Sequence, residues 1–377
     1  MPIFTAVPLT QALQQYPALK ALPAGGTLVS NASHTSWWVQ FTAPPPLSAM
    51  TLLARIGVGW GYSATRSLAI GADSGLDPST MTNAQLVRAG LPLPPTAKGT
   101  RQYAAWLTGV RRLLPRLHYQ NTRPASVVAP GNAWYTSTAT SPNWAGYVDT
   151  QATYSGIQAQ FHMANTAYTL PYGQGIAQWV GLGGNTSIGG NIGLAQAGGI
   201  RRNIKSSQSN GYYQSSLFVE ALSSSNGLCY KYTTPGFAPG DDIWSQVNYI
   251  GSVTLNGTSY SKYKGIALDG GNGDSTGWQY FDCPGTYLNN SADAITETPL
   301  VTTSSGSAYY TTLPPYSPAA PFFNVYTYTG GNEVNGEVAP YQLLELRNNG
   351  DPYGPSNATP TGWTSQTAFA VNYGTSP

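Results

Sequence analysis

Through most of the second half of the chain, apolar and polar positions alternate with a period near two rather than 3.6. The run Ile243-Trp244-Ser245-Gln246-Val247-Asn248-Tyr249-Ile250 shows the pattern of a half-buried strand. Clusters such as Pro239-Gly240-Asp241 and Asp269-Gly270-Gly271-Asn272-Gly273 punctuate these runs and predict turns. Many strands at short spacing predict an all-β sandwich or barrel. No internal repeat stands out.

The first half reads differently. Ser36-Trp37-Trp38-Val39-Gln40-Phe41 predicts a strand, and Pro44-Pro45-Pro46 a stiff break after it, since proline donates no ladder hydrogen bond. Residues Gln102 to Leu114 predict a basic amphipathic helix stopped by Pro115. Residues 124–140 are rich in Pro, Ala, Ser, Gly and Thr, the composition of a linker open to proteolysis. The chain therefore divides into a region over 1–123, a linker over 124–140 and a β domain over 141–377.

Charge sharpens that division. Before Thr136 there are ten basic residues and two acidic ones, a net +8; the rest has seven basic and thirteen acidic, a net −6. Halves of opposite sign are expected to bind each other or different partners. On this reading the basic segment is held by charge and released between about pH 5 and 3, where carboxylates titrate. Charged residues make up only 8% of the chain, against roughly 25% in an average domain. Acid unfolding proceeds largely through carboxylates that are paired in the folded state, so a chain this poor in them suits acid.

The two cysteines, Cys229 and Cys283, are 54 residues apart; they form either one disulfide or two buried thiols. Asn-x-Ser/Thr sequons begin at Asn31, Asn185, Asn256, Asn289 and Asn357. No apolar stretch is long enough to span a membrane. Met1-Pro2-Ile3-Phe4 has neither the basic start nor the apolar run of a secretory leader.

Most site chemistries fall away. His34, His118 and His162 are too scattered for a metal site, and no phosphate-binding glycine loop occurs. A serine triad would need His162, which sits in a strand-like setting. Asp73-Ser74-Gly75 is a three-residue match to pepsin-like proteases with no second copy. The basic helix lacks the lysine patch and interleaved aromatics of a nucleic-acid surface, and no membrane partner is expected. What remains are carboxylates inside strands. Asp293, Ile295 and Glu297 share one strand face, and Glu220 lies in the apolar run Leu217-Phe218-Val219-Glu220-Ala221-Leu222. Each is either solvated on an open face or buried with a raised pKa.

Five segments, taken in order, resemble the glutamic peptidases (eqolisins). Ser141-Pro142-Asn143-Trp144-Ala145-Gly146-Tyr147 is similar to the start of the mature enzymes, and Trp179-Val180-Gly181-Leu182-Gly183-Gly184 to their Trp-Val-Gly-Ile-Asp-Gly. Asn191 to Gly198 resembles the strand with the catalytic Gln, Phe218-Val219-Glu220 their Trp-Tyr-Glu, and Ala292 to Glu297 their Ala-Glu-Trp-Ile-Val-Glu. The resemblance covers roughly 141–373. It implies a two-sheet antiparallel, concanavalin-like jelly roll that is a secreted, monomeric, pepstatin-insensitive acid endopeptidase made as a zymogen. Its partners would be polypeptide substrates and its own N-terminal propeptide, with no metal or cofactor.

The resemblance makes Asp293 and Gln196 the catalytic pair, with Glu220, Glu297, Trp179 and Trp144 lining or supporting the site. Three positions depart from the family pattern. Asp293 replaces the catalytic Glu, Gly183 the Asp of the second motif, and Ala294 the Trp after the catalytic acid. Glu297 lies roughly 13 Å along the strand from Asp293, too far to stand in for it in place. Two other classes fit the same residues: a glycoside hydrolase using two carboxylates in an aromatic-rich groove, and a binding or surface domain that kept the fold and lost activity.

Overall fold

A computed structural model describes residues 5–6, 26–30, 37–41, 45–56, 58–63, 79–80, 98–100, 103–104, 107, 135–141, 143–150, 152–184, 193–204, 212–223, 227–270, 273–285, 289–302, 308–329, 341–346, 358–360 and 368–374. The N-terminal elements are β1 (Thr5–Ala6), β2 (Gly26–Ser30), β3 (Trp37–Phe41), α1 (Leu47–Ile56) and β4 (Gly59–Ser63). Then come β5 (Tyr135–Ser141), β6 (Trp144–Asp149), β7 (Tyr154–His162), β8 (Gly175–Gly183), β9 (Leu194–Ile204), β10 (Tyr212–Leu222), β11 (Leu228–Pro235), β12 (Asp242–Leu255) and β13 (Thr258–Asp269). The series ends with β14 (Gln279–Pro284), β15 (Ala292–Glu297), β16 (Leu300–Thr302), β17 (Ala308–Tyr310), β18 (Ala320–Thr329), β19 (Tyr341–Leu346), β20 (Ala358–Pro360) and β21 (Phe369–Tyr373).

Pairing builds two layers. The first sheet runs β5-β19-β6-β15-β8-β9-β10-β11, antiparallel except at β5–β19. The second runs β20-β21-β18-β7-β12-β13-β14-β4-β3-β2-β1, antiparallel except at β3–β4. One residue pair, Leu346 with Ala358, joins the layers along one side. This is a β-sandwich, one of the two architectures the alternating pattern predicts and the one the resemblance implies. Small inward residues of the first sheet, such as Ala145, Ala195, Ala197 and Ala294, meet large ones of the second, such as Phe161, Tyr263, Phe281 and Phe322. Small against large lets the layers interdigitate at close to crystal density.

Cys229 on β11 and Cys283 on β14 are bridged, with Cα atoms 5.8 Å apart. The bond therefore staples the edge of one sheet to the other. Turn chemistry follows the sequence. At Pro239-Gly240-Asp241, Gly240 has φ 81° and the Ala238 N–H donates to Asp241 Oδ2 at 2.6 Å. Asn256 (φ 50°) and Gly257 (φ 79°) close the β12–β13 hairpin, the Asn-Gly pairing such tight turns favour. Asn289, one of the sequon residues, is buried and accepts from the Tyr263 hydroxyl at 2.6 Å.

The described residues between 26 and 63 do not stand apart from the sandwich. They form β2-β3-α1-β4, and β4 pairs with β14. Residues 135–141 of the proline- and serine-rich stretch run as β5 in the first sheet. The helix expected over 102–114 lies outside the described residues apart from 103, 104 and 107, which are helical. No described helix is long and apolar enough to cross a membrane.

Candidate active site

Four neighbouring strands of the first sheet are in register so that Asp293 lies opposite Gly181, Gly181 opposite Gln196, and Gln196 opposite Glu220; β11 extends the row with Lys231. Directly opposed residues project to the same face. Their flanking neighbours Ala294, Val180, Ala197 and Val219 point into the sandwich, so the row lies on the outer face. At about 4.8 Å per strand, the Asp293 and Gln196 backbones are roughly 10 Å apart. Gly181 puts no side chain between them. A Cβ there would lie 3.0 Å from Trp179 Cζ3, Leu194 Cδ1 and the Ala195 carbonyl oxygen.

Gln196 Nε2 donates to Glu220 Oε1 at 3.0 Å, and the Lys231 ammonium pairs with Glu220 Oε2. Gln196 Oε1 is buried with no hydrogen-bond partner among the described residues. The Asp293 carboxyl is fully buried; Ser291 Oγ approaches its Oδ2 at 3.5 Å, the limit of a hydrogen bond, and its Oδ1 has no partner among the described residues. Burial pushes the Asp293 pKa well above the usual range; Ser291 works against that shift, and the buried carboxylate of Asp149 on β6 adds to it.

Glu297 sits on the same face at the other end of β15. Trp179 Nε1 donates to its Oε2 at 2.7 Å and Asn143 Nδ2 to its Oε1 at 3.0 Å. Burial raises its pKa to about 7; Trp179, Trp144 and Asn143 oppose the shift, and the charge of Glu220 adds to it. Trp144 meets Trp179 edge-on, ring centroids 5.0 Å apart. Gly198 makes room for Trp179, because a Cβ there would come within 2.6 Å of Trp179 Cβ and 2.1 Å of the Gln178 carbonyl oxygen. Val148, Trp179, Leu194, Ile200, Phe218 and Ile295 make the surroundings apolar.

Every candidate residue named from sequence thus falls on one face of one sheet, drawn from β6, β8, β9, β10 and β15. They form two groups: Gln196 with Glu220, and Glu297 with Trp179 and Trp144. Among the described residues Asp293 makes no hydrogen bond to Gln196; the two face each other across Gly181. Sequence reasoning missed Asn143, Lys231 and Asp149. Asn143 stood inside the Ser141–Tyr147 motif, but Lys231 and Asp149 join only through pairing and left no local signal. No group of three or more His, Cys, Asp or Glu among the described residues is placed to hold a metal ion.

No protein-family model matches the chain, and no curated protein does. Among solved structures, the chain is similar to a crystal structure of scytalido-glutamic peptidase with a transition state analog inhibitor. The identity is 16% and the TM-score 0.45, over 62% of this chain and 98% of that one. It is also similar to SCP-B, a member of the Eqolisin family of peptidases in a complex with the tripeptide Ala-Ile-His, at 14% identity and TM-score 0.44 over the same shares.

Proposed function

We propose that the chain is a secreted acid endopeptidase that hydrolyses peptide bonds with a water activated by Asp293 and oriented by Gln196. The observation that carries this reading is the cross-strand row. Five motifs scattered along more than 150 residues converge on one face, with the acid and the amide facing each other across a residue that has no side chain. Among the described residues, both present a buried oxygen with no partner. An unmade buried hydrogen bond costs on the order of 1–3 kcal/mol, and a fold keeps such groups most readily where they serve a ligand.

With its pKa raised by burial, Asp293 is mostly protonated in acid, and the ionised form that starts the cycle is the minor one there. Ionised, Asp293 is basic enough to take a proton from the attacking water; protonated, it gives that proton to the leaving amine. Gln196 has a second amide N–H beyond the one given to Glu220, and that N–H would donate to the developing oxyanion. Lys231 and Glu220 hold the amide in place. An extended polypeptide would lie along the sheet face with its side chains in pockets. Glu297, Trp179 and Trp144 would flank such a peptide on the other side. The disulfide fits an oxidising, extracellular compartment.

The test is to incubate the protein with denatured casein and, separately, with β-glucan at about pH 3. Peptide release that resists pepstatin and chelators is expected. Sugar release would replace this reading with a glycoside hydrolase, and no release with a binding domain.

A further inference from the structure

The charge division reads the N-terminal region as a segment that acid sets free. Its described part is held by contacts of another kind. Strand β4 pairs backbone to backbone with β14, Trp60 to Ser63 opposite Asp282 to Gln279. On the outer face of the second sheet, Ala49 and Leu53 of α1 bury with Val58, Trp60 and Tyr260. The Trp60 and Tyr260 ring centroids are 4.4 Å apart, and Tyr62 stacks on Tyr280 at 5.2 Å. Asn256 Nδ2 donates to the Thr51 carbonyl of α1 at 3.2 Å. On the inner face Trp38 is fully buried in the main core. The fit to β11 leaves no slack, since a Cβ on Gly61 would lie 2.2 Å from the Tyr230 ring and one on Gly59 2.6 Å from the Cys229 carbonyl oxygen.

We propose that residues 26–63 are a permanent part of the sandwich and not a releasable propeptide: a cut between 64 and 134 yields a two-chain protein. The unit stays seated on β14 and β11 at neutral and acid pH, covering the Cys229–Cys283 edge. Losing it would leave β14 an open edge of unpaired N–H and C=O groups. It would also uncover Tyr260 and a disulfide whose cysteines are only 5% and 0% exposed.

The pH dependence runs against release. Asp282 lies opposite Trp60, and burial raises its pKa to about 6, with Lys262 of β13 working against the shift. Among the described residues, the other titratable groups facing it are Tyr62 of β4 and Tyr260 of β13. The only charged residue in the α1 sequence is Arg55, and β12 contributes none over Val253 to Leu255. An uncovered Asp titrates near 4, so the docked state binds the proton more tightly. Docking therefore strengthens as the pH falls from about 6 towards 4.

The experiment inserts a site-specific protease sequence with glycine-serine spacers after Gly131 of the full chain, lengthened until native cleavage is complete on a denaturing gel. Native mass spectrometry and gel filtration then follow at pH 7 and pH 4, each with and without 1 M salt. One species holding both pieces is expected throughout, with the disulfide resisting a reductant that opens exposed bridges. Separation of the pieces at either pH or in salt overturns the proposal. The cut Gly61→Val protein should lose the N-terminal piece at least tenfold faster. Retention equal to the parent's would mean that another surface holds the unit, and the proposal fails.

Discussion

At the level of single residues, the site depends on what is missing as much as on what is present. Gly181 stands between Asp293 and Gln196 where Trp179 and Leu194 leave no room for a larger residue, and Gly198 lets Trp179 lie close to the neighbouring strand. Asp293→Glu restores the acid that the resembled motif carries, one methylene longer. It is expected to keep peptidase activity, as measured by initial rates on a quenched peptide. Gln196→Ala should lower kcat roughly 100–1,000-fold with circular dichroism unchanged, the usual loss when one oxyanion donor is removed. The shared face of Asp293 and Glu297 was legible from their spacing. The pairing of Glu220 with Gln196 and Lys231 was not, because cross-strand register is set by long-range contacts that no local window contains.

Among the elements, strands with clear alternation were readable, and β12 and β15 fall where the pattern placed them. The route of the first half into the second sheet was hidden. The parallel β3–β4 pair needs the α1 crossover, and β4 finds its partner more than 200 residues away. Composition alone marked residues 124–140 as linker, but 135–141 gain a partner in β19 that lies just as far off in sequence. The disulfide acts at this scale too. It ties β11 to β14 across the layers, and its loop of 54 residues should be worth roughly 4 kcal/mol by chain entropy. Cys229→Ala with Cys283→Ala should lower stability by about 2–5 kcal/mol in urea unfolding. A change below 1 kcal/mol would mean that sheet packing alone holds that edge.

For the whole molecule, scarcity of charge and the placement of a few carboxyls point the same way. Asp282 and Glu297 have pKa values raised to about 6 and about 7, and Asp293 is raised well above its ordinary value. In each case burial favours the neutral form, whereas the unfolded chain titrates near 4. Their contribution to stability is therefore complete below about pH 4 and is lost as the pH rises through 6 to 7. Thermal unfolding followed from pH 3 to 8 should give the highest Tm near pH 4 and a fall of several degrees by pH 8. A Tm that peaks at neutral pH would show that other groups set the acid stability.

The central claim is that Asp293, and not Glu297, exchanges protons with water and the leaving amine. The most direct measurement compares kcat/KM of Asp293→Asn and Glu297→Gln with the parent protein on one peptide at acid pH. Asp293→Asn is expected to lose roughly 100–10,000-fold, the range for a general acid–base group, while Glu297→Gln stays within about tenfold. Full activity in Asp293→Asn alongside a dead Glu297→Gln would contradict the account and move the chemistry to the carboxyl held by Trp179 and Asn143.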